Sequence, residues 1–334
     1  MLKVSMKNEV SKDSSIKDLA HVILSLLPSV SEGLGGQANS TELRLVAAVW
    51  RHGSRAPIRN VFGVSDEQKG IQEQRLLGEF LHERYKQFMT DYSSETTLDV
   101  AYANCPPPYR PFIMKASNTS AERLASASDP KMLELLENGI GRKPQGLEVG
   151  LFTEAVICYH YDGKASLLPA WAQSLELYEN MKKSYIKTLL ALQGDPEYRR
   201  LRGSNLFKEI ADRFMKKVTE GEANKLQFIG YSTHDMTLLA LLADWGVLEP
   251  SIFPEFSSCI MVELYERASI HYIEIWYRRG HGKELVQLKV KDCKEPCKLQ
   301  EFVAIAEKYA SVNITADCEK FKELGLEFVD HKYT

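Results

Sequence analysis

Arg51-His52-Gly53-Ser54-Arg55-Ala56-Pro57 follows directly on the apolar run Leu43 to Trp50. An apolar run of strand length that gives way to Gly and Pro reads as a buried strand entering a turn. That places two arginines and one histidine at the rim of a sheet, where open α/β sheets take their ligands. A guanidinium is a fixed fork of donors matched to phosphate oxygens. Arg51 and Arg55 are therefore suited to hold an oxyanion while His52 attacks its phosphorus, and the loop reads as a phosphoryl-transfer site.

A second site of the same kind lies downstream. Leu226 to Tyr231 is another apolar strand-like run, and it passes through Ser232-Thr233-His234-Asp235 into the helix-like run Met236 to Leu242. Between the two, Leu77, Leu81, Tyr85 and Phe88 recur at helical period, Leu175 to Leu192 has the pattern of a long helix, and Leu206, Ile210, Phe214 and Val218 mark another that ends before Gly221. Cys105 to Pro111 is Pro-rich and reads as a turn or extended connection, and Gly139 to Gly150 as an irregular tract. Ile260 to Tyr265 and Ile270 to Tyr277 alternate as an antiparallel hairpin around Glu266 to Ser269, with Glu263, Glu274 and Arg278 expected on its polar face. Strands separated by helical spans predict an α/β sandwich with a helical subdomain inserted between the motif-bearing strands.

The chain has 334 residues, 44% of them hydrophobic, enough for a substantial core. Its net charge is 42 minus 45, or −3, with no basic block. Nothing here suggests a nucleic-acid footprint or a polybasic membrane patch, which points to a small molecule or a phosphorylated peptide as partner. No apolar run reaches the length of a membrane span. Residues 1–40 read as a leader: Val22 to Leu27 forms an apolar core ending at Pro28, with small residues at Ser29 and Ser31, as in a secretory signal or an amphipathic helix. The folded domain is expected over 41–334, with the helical insertion at roughly 86–205. Six cysteines permit fifteen pairings, and Cys293-x-x-x-Cys297 has no second Cys/His pair at zinc-like spacing.

The R-H-G-x-R-x-P pattern at Arg51 to Pro57 resembles the signature of the histidine acid phosphatases, the clade-two branch of the histidine phosphatase superfamily, and His234-Asp235 resembles that family's H-D motif. The similarity spans about Glu42 to Cys318. It implies a three-layer α/β sandwich, phosphoglycerate mutase-like, with a mostly parallel central sheet and the helical subdomain. It also implies an acid phosphatase in which His52 forms a covalent phosphohistidine, Arg51, Arg55 and His234 bind phosphate, and Asp235 gives a proton to the leaving group, with no metal and no cofactor. By order and spacing within vertebrate acid phosphatases, the resemblance implies the disulfides Cys105-Cys318, Cys158-Cys259 and Cys293-Cys297, and with them a secreted or lysosomal, lumenal location. Sequons at Asn39, Asn118 and Asn313 suit a secreted glycoprotein. Two arginines beside His52 disfavour a second positive charge, so the resemblance and the charges together predict an acidic rate optimum. The oligomeric state is left open, a homodimer among the options.

The chain departs from the family between His52 and Cys105. A further family arginine, in a Ser-Thr-Asp-like segment, has no counterpart there, and a short Tyr92 to Tyr102 link stands in place of a strand and helix. Ser120-Ala121-Glu122-Arg123 imitates the spacing but lies C-terminal to Cys105, so Arg123 reads as a surface helix residue. The alternative expectation is a weak or inactive phosphatase-like secreted binding protein. A third, a phosphoglycerate mutase-like transferase, shares the Arg-His-Gly chemistry but not the cysteine pattern.

Overall fold

The computed structural model describes residues 41–57, 61–63, 70–89, 94–98, 130–144, 148–193, 203–310 and 316. The leader, both cysteines of the Cys105-Cys318 pair, the three sequons and the Arg123 segment lie outside these residues. In chain order the described strands and helices are β1 (Glu42–Arg51), α1 (Gly70–Tyr85), β2 (Ser94–Leu98), α2 (Pro130–Ile140), α3 (Glu148–Tyr161), α4 (Leu175–Leu192), α5 (Asn205–Glu220), β3 (Phe228–Thr233), α6 (Asp235–Asp244), β4 (Cys259–Arg267), β5 (Ile270–Arg278), β6 (Leu285–Leu288) and α7 (Leu299–Tyr309). The chain divides into two compact units. One comprises Met1–Gly53, Gly70–Ala101 and Arg202–Ala310, the other Ser54–Lys69, Tyr102–Leu201 and Ser311–Thr334.

The first unit is organised around β1, which is buried from Leu45 to Arg51 as befits a central strand covered on both faces. Leu45, Ala47 and Val49 join one apolar cluster with Phe207 and Phe214 of α5, Leu238 and Leu241 of α6 and Phe302 of α7. Val46, Ala48 and Trp50 point the other way, toward Leu77, Leu81 and Tyr85 of α1. This alternation makes the sandwich, with helices on either side of one sheet.

The sheet order is β2-β3-β1-β4-β5-β6. β2 and β1 both pair parallel with β3, while β4 pairs antiparallel with β1, and β5 and β6 continue antiparallel. The sheet, expected to be mostly parallel, has β1, β2, β3 and β5 in one direction, and the tight β4-β5 hairpin, expected as antiparallel, makes its other side mixed. Ala268 and Ser269 form its two-residue connection, both at positive φ, the geometry whose twist matches paired strands. β2 also falls within the Tyr92 to Tyr102 link and inside the expected helical insertion, so a short strand rich in Thr continues the sheet there.

The second unit contains α2, α3 and α4, packed around Met132, Leu136, Val156, Tyr159, Leu177 and Met181. The irregular tract expected from Gly139 to Gly150 is narrower, because α2 runs to Ile140 and α3 begins at Glu148. Gly139 serves packing instead of breaking the helix, since a Cβ there would come within 2.2 Å of the Trp171 ring.

Two residues expected on a polar hairpin face are buried. Glu263 is 0% exposed and accepts hydrogen bonds from Arg84 Nε and Nη2 at 2.9 and 2.8 Å, from Tyr85 Oη at 2.5 Å and from Tyr265 Oη at 2.8 Å. Burial, then the Glu263 charge, pushes both tyrosine pKa values up, which keeps their hydroxyls as donors. Arg278 lies over the Phe80 ring, 4.6 Å from its centroid, and burial lowers its pKa. Strand alternation alone reads both as solvated; α1 covers that face.

Among the cysteines, Cys293 and Cys297 form a disulfide. Cys158 and Cys259, expected as a pair, fall in different units, and both are buried. Cys158 Sγ bonds to Glu154 Oε1 at 3.5 Å, one helical turn back, and Cys259 Sγ reaches the Ile260 carbonyl at 3.8 Å. Burial pushes the Cys259 pKa up to about 12.

Glu263→Ala leaves Arg84, Tyr85 and Tyr265 facing an apolar void. Since Arg84 retains some solvent contact, the lower end of the cost of breaking a buried pair applies, about 3 kcal/mol by denaturant unfolding. A loss below about 1 kcal/mol, the scale of a surface pair, would show that the network is solvated.

Candidate active site

β1 and β3 run parallel and in register, with Trp50 opposite Ser232 and Arg51 opposite Thr233. The two motifs found in the sequence therefore emerge side by side from the same end of the sheet. His52 N–H donates to the Thr233 carbonyl at 3.2 Å, tying the loops together just past the last paired residues. Gly53 is required by packing. A Cβ there would come within 2.3 Å of the Gly70 carbonyl oxygen, so only glycine lets the end of β1 pass the start of α1.

Arg51, His52, His234 and Asp235 converge within the first unit. Arg51 Nη2 lies 2.9 Å from Asp235 Oδ2, both side chains largely buried, and Arg51 Nη1 donates to the Pro254 carbonyl at 2.9 Å. The His52 and His234 rings meet edge-on with centroids 5.2 Å apart. Asp235 opens α6, with His234 as its N-cap, so the positive end of the helix dipole faces the same place.

The tautomer of His52 follows from its contact. Nδ1 lies 2.7 Å from the Gly53 carbonyl, which only accepts, so Nδ1 carries the proton and Nε2 of the neutral ring holds the lone pair. This is the nitrogen a nucleophilic histidine needs.

Burial by itself raises the pKa of Asp235, but Arg51, His52 and His234, followed by the Met236 N–H bonded at 2.8 Å to Oδ1, outweigh it and hold the carboxyl below its ordinary value. Asp235 is thus a carboxylate clamped to Arg51.

Arg55 belongs to the second unit. Its Nη1 pairs with Glu154 Oε1 of α3 at 2.9 Å and also donates to the Ala56 carbonyl at 2.9 Å. Motif reading did not find Glu154. It also missed Phe256, whose ring lies 4.0 Å beneath the Arg51 guanidinium and 5.7 Å from the His52 ring, and Gln74, which bonds to the Arg51 carbonyl at 3.3 Å. Gln74 was discoverable as a lone amide in the apolar stripe of α1.

Comparison with known proteins finds similarity to one family in sequence and a shared fold in structure. The family model of the histidine phosphatase superfamily (branch 2) matches residues 149–278. The chain is 26% identical to putative acid phosphatase 5 of Caenorhabditis elegans, over 84% of this chain and 80% of that protein. It is 26% identical to prostatic acid phosphatase of Bos taurus, over 95% and 97%. Among solved structures, Hafnia alvei phytase with tartrate superposes with a TM-score of 0.59 at 13% identity, over 83% of this chain and 98% of that one. The phytase of D. castellii gives 0.57 at 12%, over 90% and 88%. At such identities the structural likeness speaks for the fold alone.

The depressed Asp235 pKa has a thermodynamic sign. A carboxylate stabilised in the folded state contributes stability above its unfolded pKa of about 3.9, and loses it as pH falls through the lower folded value. The free energy of unfolding should therefore drop below about pH 4, and Asp235→Asn should remove that part of the drop. Equal pH slopes for the two proteins in this window would contradict the ion pair.

Proposed function

We propose that this chain, a member of the histidine phosphatase superfamily (branch 2), hydrolyses phosphomonoesters through a phosphohistidine on His52. The observation that carries the reading is the His52 Nδ1 contact with the Gly53 carbonyl, which leaves the lone pair of the neutral ring on Nε2 in the residue next to the buried Arg51. The names of the relatives, prostatic, lysosomal and putative acid phosphatases, support the same substrate class.

In the first step the Nε2 lone pair forms a bond to phosphorus, and the bond from phosphorus to the ester oxygen breaks. Arg51 and His234, joined by Arg55 of the same motif, bind the equatorial oxygens as charge builds. Asp235 gives its proton to the departing alkoxide, which leaves as an alcohol. In the second step Asp235, now a carboxylate, takes a proton from water as the water oxygen attacks phosphorus; inorganic phosphate leaves and neutral His52 returns. These steps balance without a metal or an organic cofactor.

The carboxylate state of Asp235 without substrate shapes this cycle. A phosphomonoester competes for the Arg51 guanidinium and brings negative charge against Asp235, and both effects raise its proton affinity. Substrate binding thus loads the acid. Acidic medium assists, in keeping with an acidic rate optimum and with a lumenal or secreted setting, which the Cys293-Cys297 disulfide and the lysosomal relative support.

Two measurements test the roles. Quenching the reaction with a phosphorus-labelled aryl phosphate should leave an acid-labile, base-stable label on the wild type and none on His52→Ala; full label on the variant would remove His52 as nucleophile. Asp235→Asn should slow esters of poor leaving groups by about a hundredfold or more, yet slow activated aryl esters far less. An equal loss for both kinds would remove the general-acid role.

A further inference from the structure

We infer that Gln74 is a positioning residue of this centre, acting through the 254–258 loop to hold Phe256 beneath the Arg51 guanidinium; its catalytic consequence rests on the function proposed above. The buried face of α1 is Gly70, Gln74, Leu77, Gly78, Leu81 and Tyr85, so Gln74 places an amide in an apolar stripe with 4% of its surface exposed. A buried amide is costly unless its donors are met. The Gln74 Nε2 group donates to Ser257 Oγ at 2.7 Å and to the Arg51 carbonyl at 3.3 Å. A carbonyl only accepts, which fixes the nitrogen end of the amide toward it.

Ser257 is the strained member of the pair. It is fully buried, is not glycine, and has φ of 57° in the left-handed region, a costly conformation that persists where its surroundings over-determine it. Its N–H donates to the His52 carbonyl at 3.1 Å and its hydroxyl oxygen takes the Gln74 amide. The turn so held carries three contacts of Arg51. Pro254 and Ser258 offer carbonyls to its guanidinium and its backbone N–H, at 2.9 Å each, and Phe256 lies face-on below it. A cation over an aromatic face is held in position without a competing hydrogen bond, which leaves Nη2 directed at Asp235. The Gln74-Ser257 bond therefore determines how Arg51 divides between Asp235 and a substrate phosphate.

Gln74→Met keeps the side-chain length and removes both donors. Ser257→Gly removes the acceptor while suiting the left-handed backbone, so it should keep its melting temperature. Each variant, and the double, is measured for kcat and KM on 4-nitrophenyl phosphate and for titration of the Asp235 carboxyl by NMR, a group faced by Arg51, His52 and His234. Each single variant should lose about tenfold to a hundredfold in kcat/KM, mainly in kcat, and the double should lose no more than the worse single. In all three, Asp235 should titrate at higher pH than in the wild type. Ser257→Gly with wild-type kcat/KM and an unmoved Asp235 titration would overturn the inference, as would losses that multiply in the double. A wild type without turnover would defeat the functional proposal alone, because the Asp235 titration still decides the role of Gln74.

Discussion

The ion pair between Arg51 and Asp235 joins the last residue of one strand to the first residue of the helix that follows its parallel neighbour. Taking both charges out of water is worthwhile only where the geometry is good and the remaining polar atoms find partners. The fold meets that condition in part, Arg51 Nε being buried without a hydrogen-bond partner among the described residues. The β1-β3 register brings the two ends level, the Pro254 carbonyl takes a second guanidinium nitrogen, and the Met236 N–H takes the other carboxylate oxygen. A shift of one residue in β1 would turn Arg51 away from α6 and Trp50 out of its apolar layer, so sheet packing and site assembly are one constraint.

The same pair balances charge within the site, the Asp235 carboxylate offsetting the buried Arg51 guanidinium. Under the proposed function a substrate phosphate would compete for that guanidinium, and Asp235 would then supply the proton. In the second unit Glu154 stands to Arg55 as Asp235 stands to Arg51: both motif arginines are held by a carboxylate. Each guanidinium is oriented by its pair, which under the proposed function would reduce the reorganisation left for the transition state.

The strands carrying Arg51 and His234, the hairpin from Ile260 to Tyr277 and the helices over Leu175 to Leu192 and Leu206 to Val218 were legible because periodicity and Gly/Pro punctuation are local signals. His52, His234 and Asp235 were legible as motifs, and the fold brings them together. What escaped depended on what covers a face. Glu263 and Arg278 look solvent-facing until α1 is laid over them, and Gly139 looks like a breaker until Trp171 is placed against it. Gln74, Phe256 and Glu154 belong to no motif, since each matters through a partner far away in the chain. Even the tautomer of His52 is set by the carbonyl of the next residue, a matter of backbone direction that residue types do not reveal.

The central claim is that His52 performs phosphoryl transfer in this chain as it stands, including its altered stretch between His52 and Cys105. The most direct test is hydrolysis of an activated aryl phosphate by the full 334-residue protein across pH 4 to 8, beside His52→Ala. Turnover that is greatest on the acidic side and absent from the variant is the predicted result. A folded wild-type protein without turnover, or turnover that survives in His52→Ala, would contradict the account.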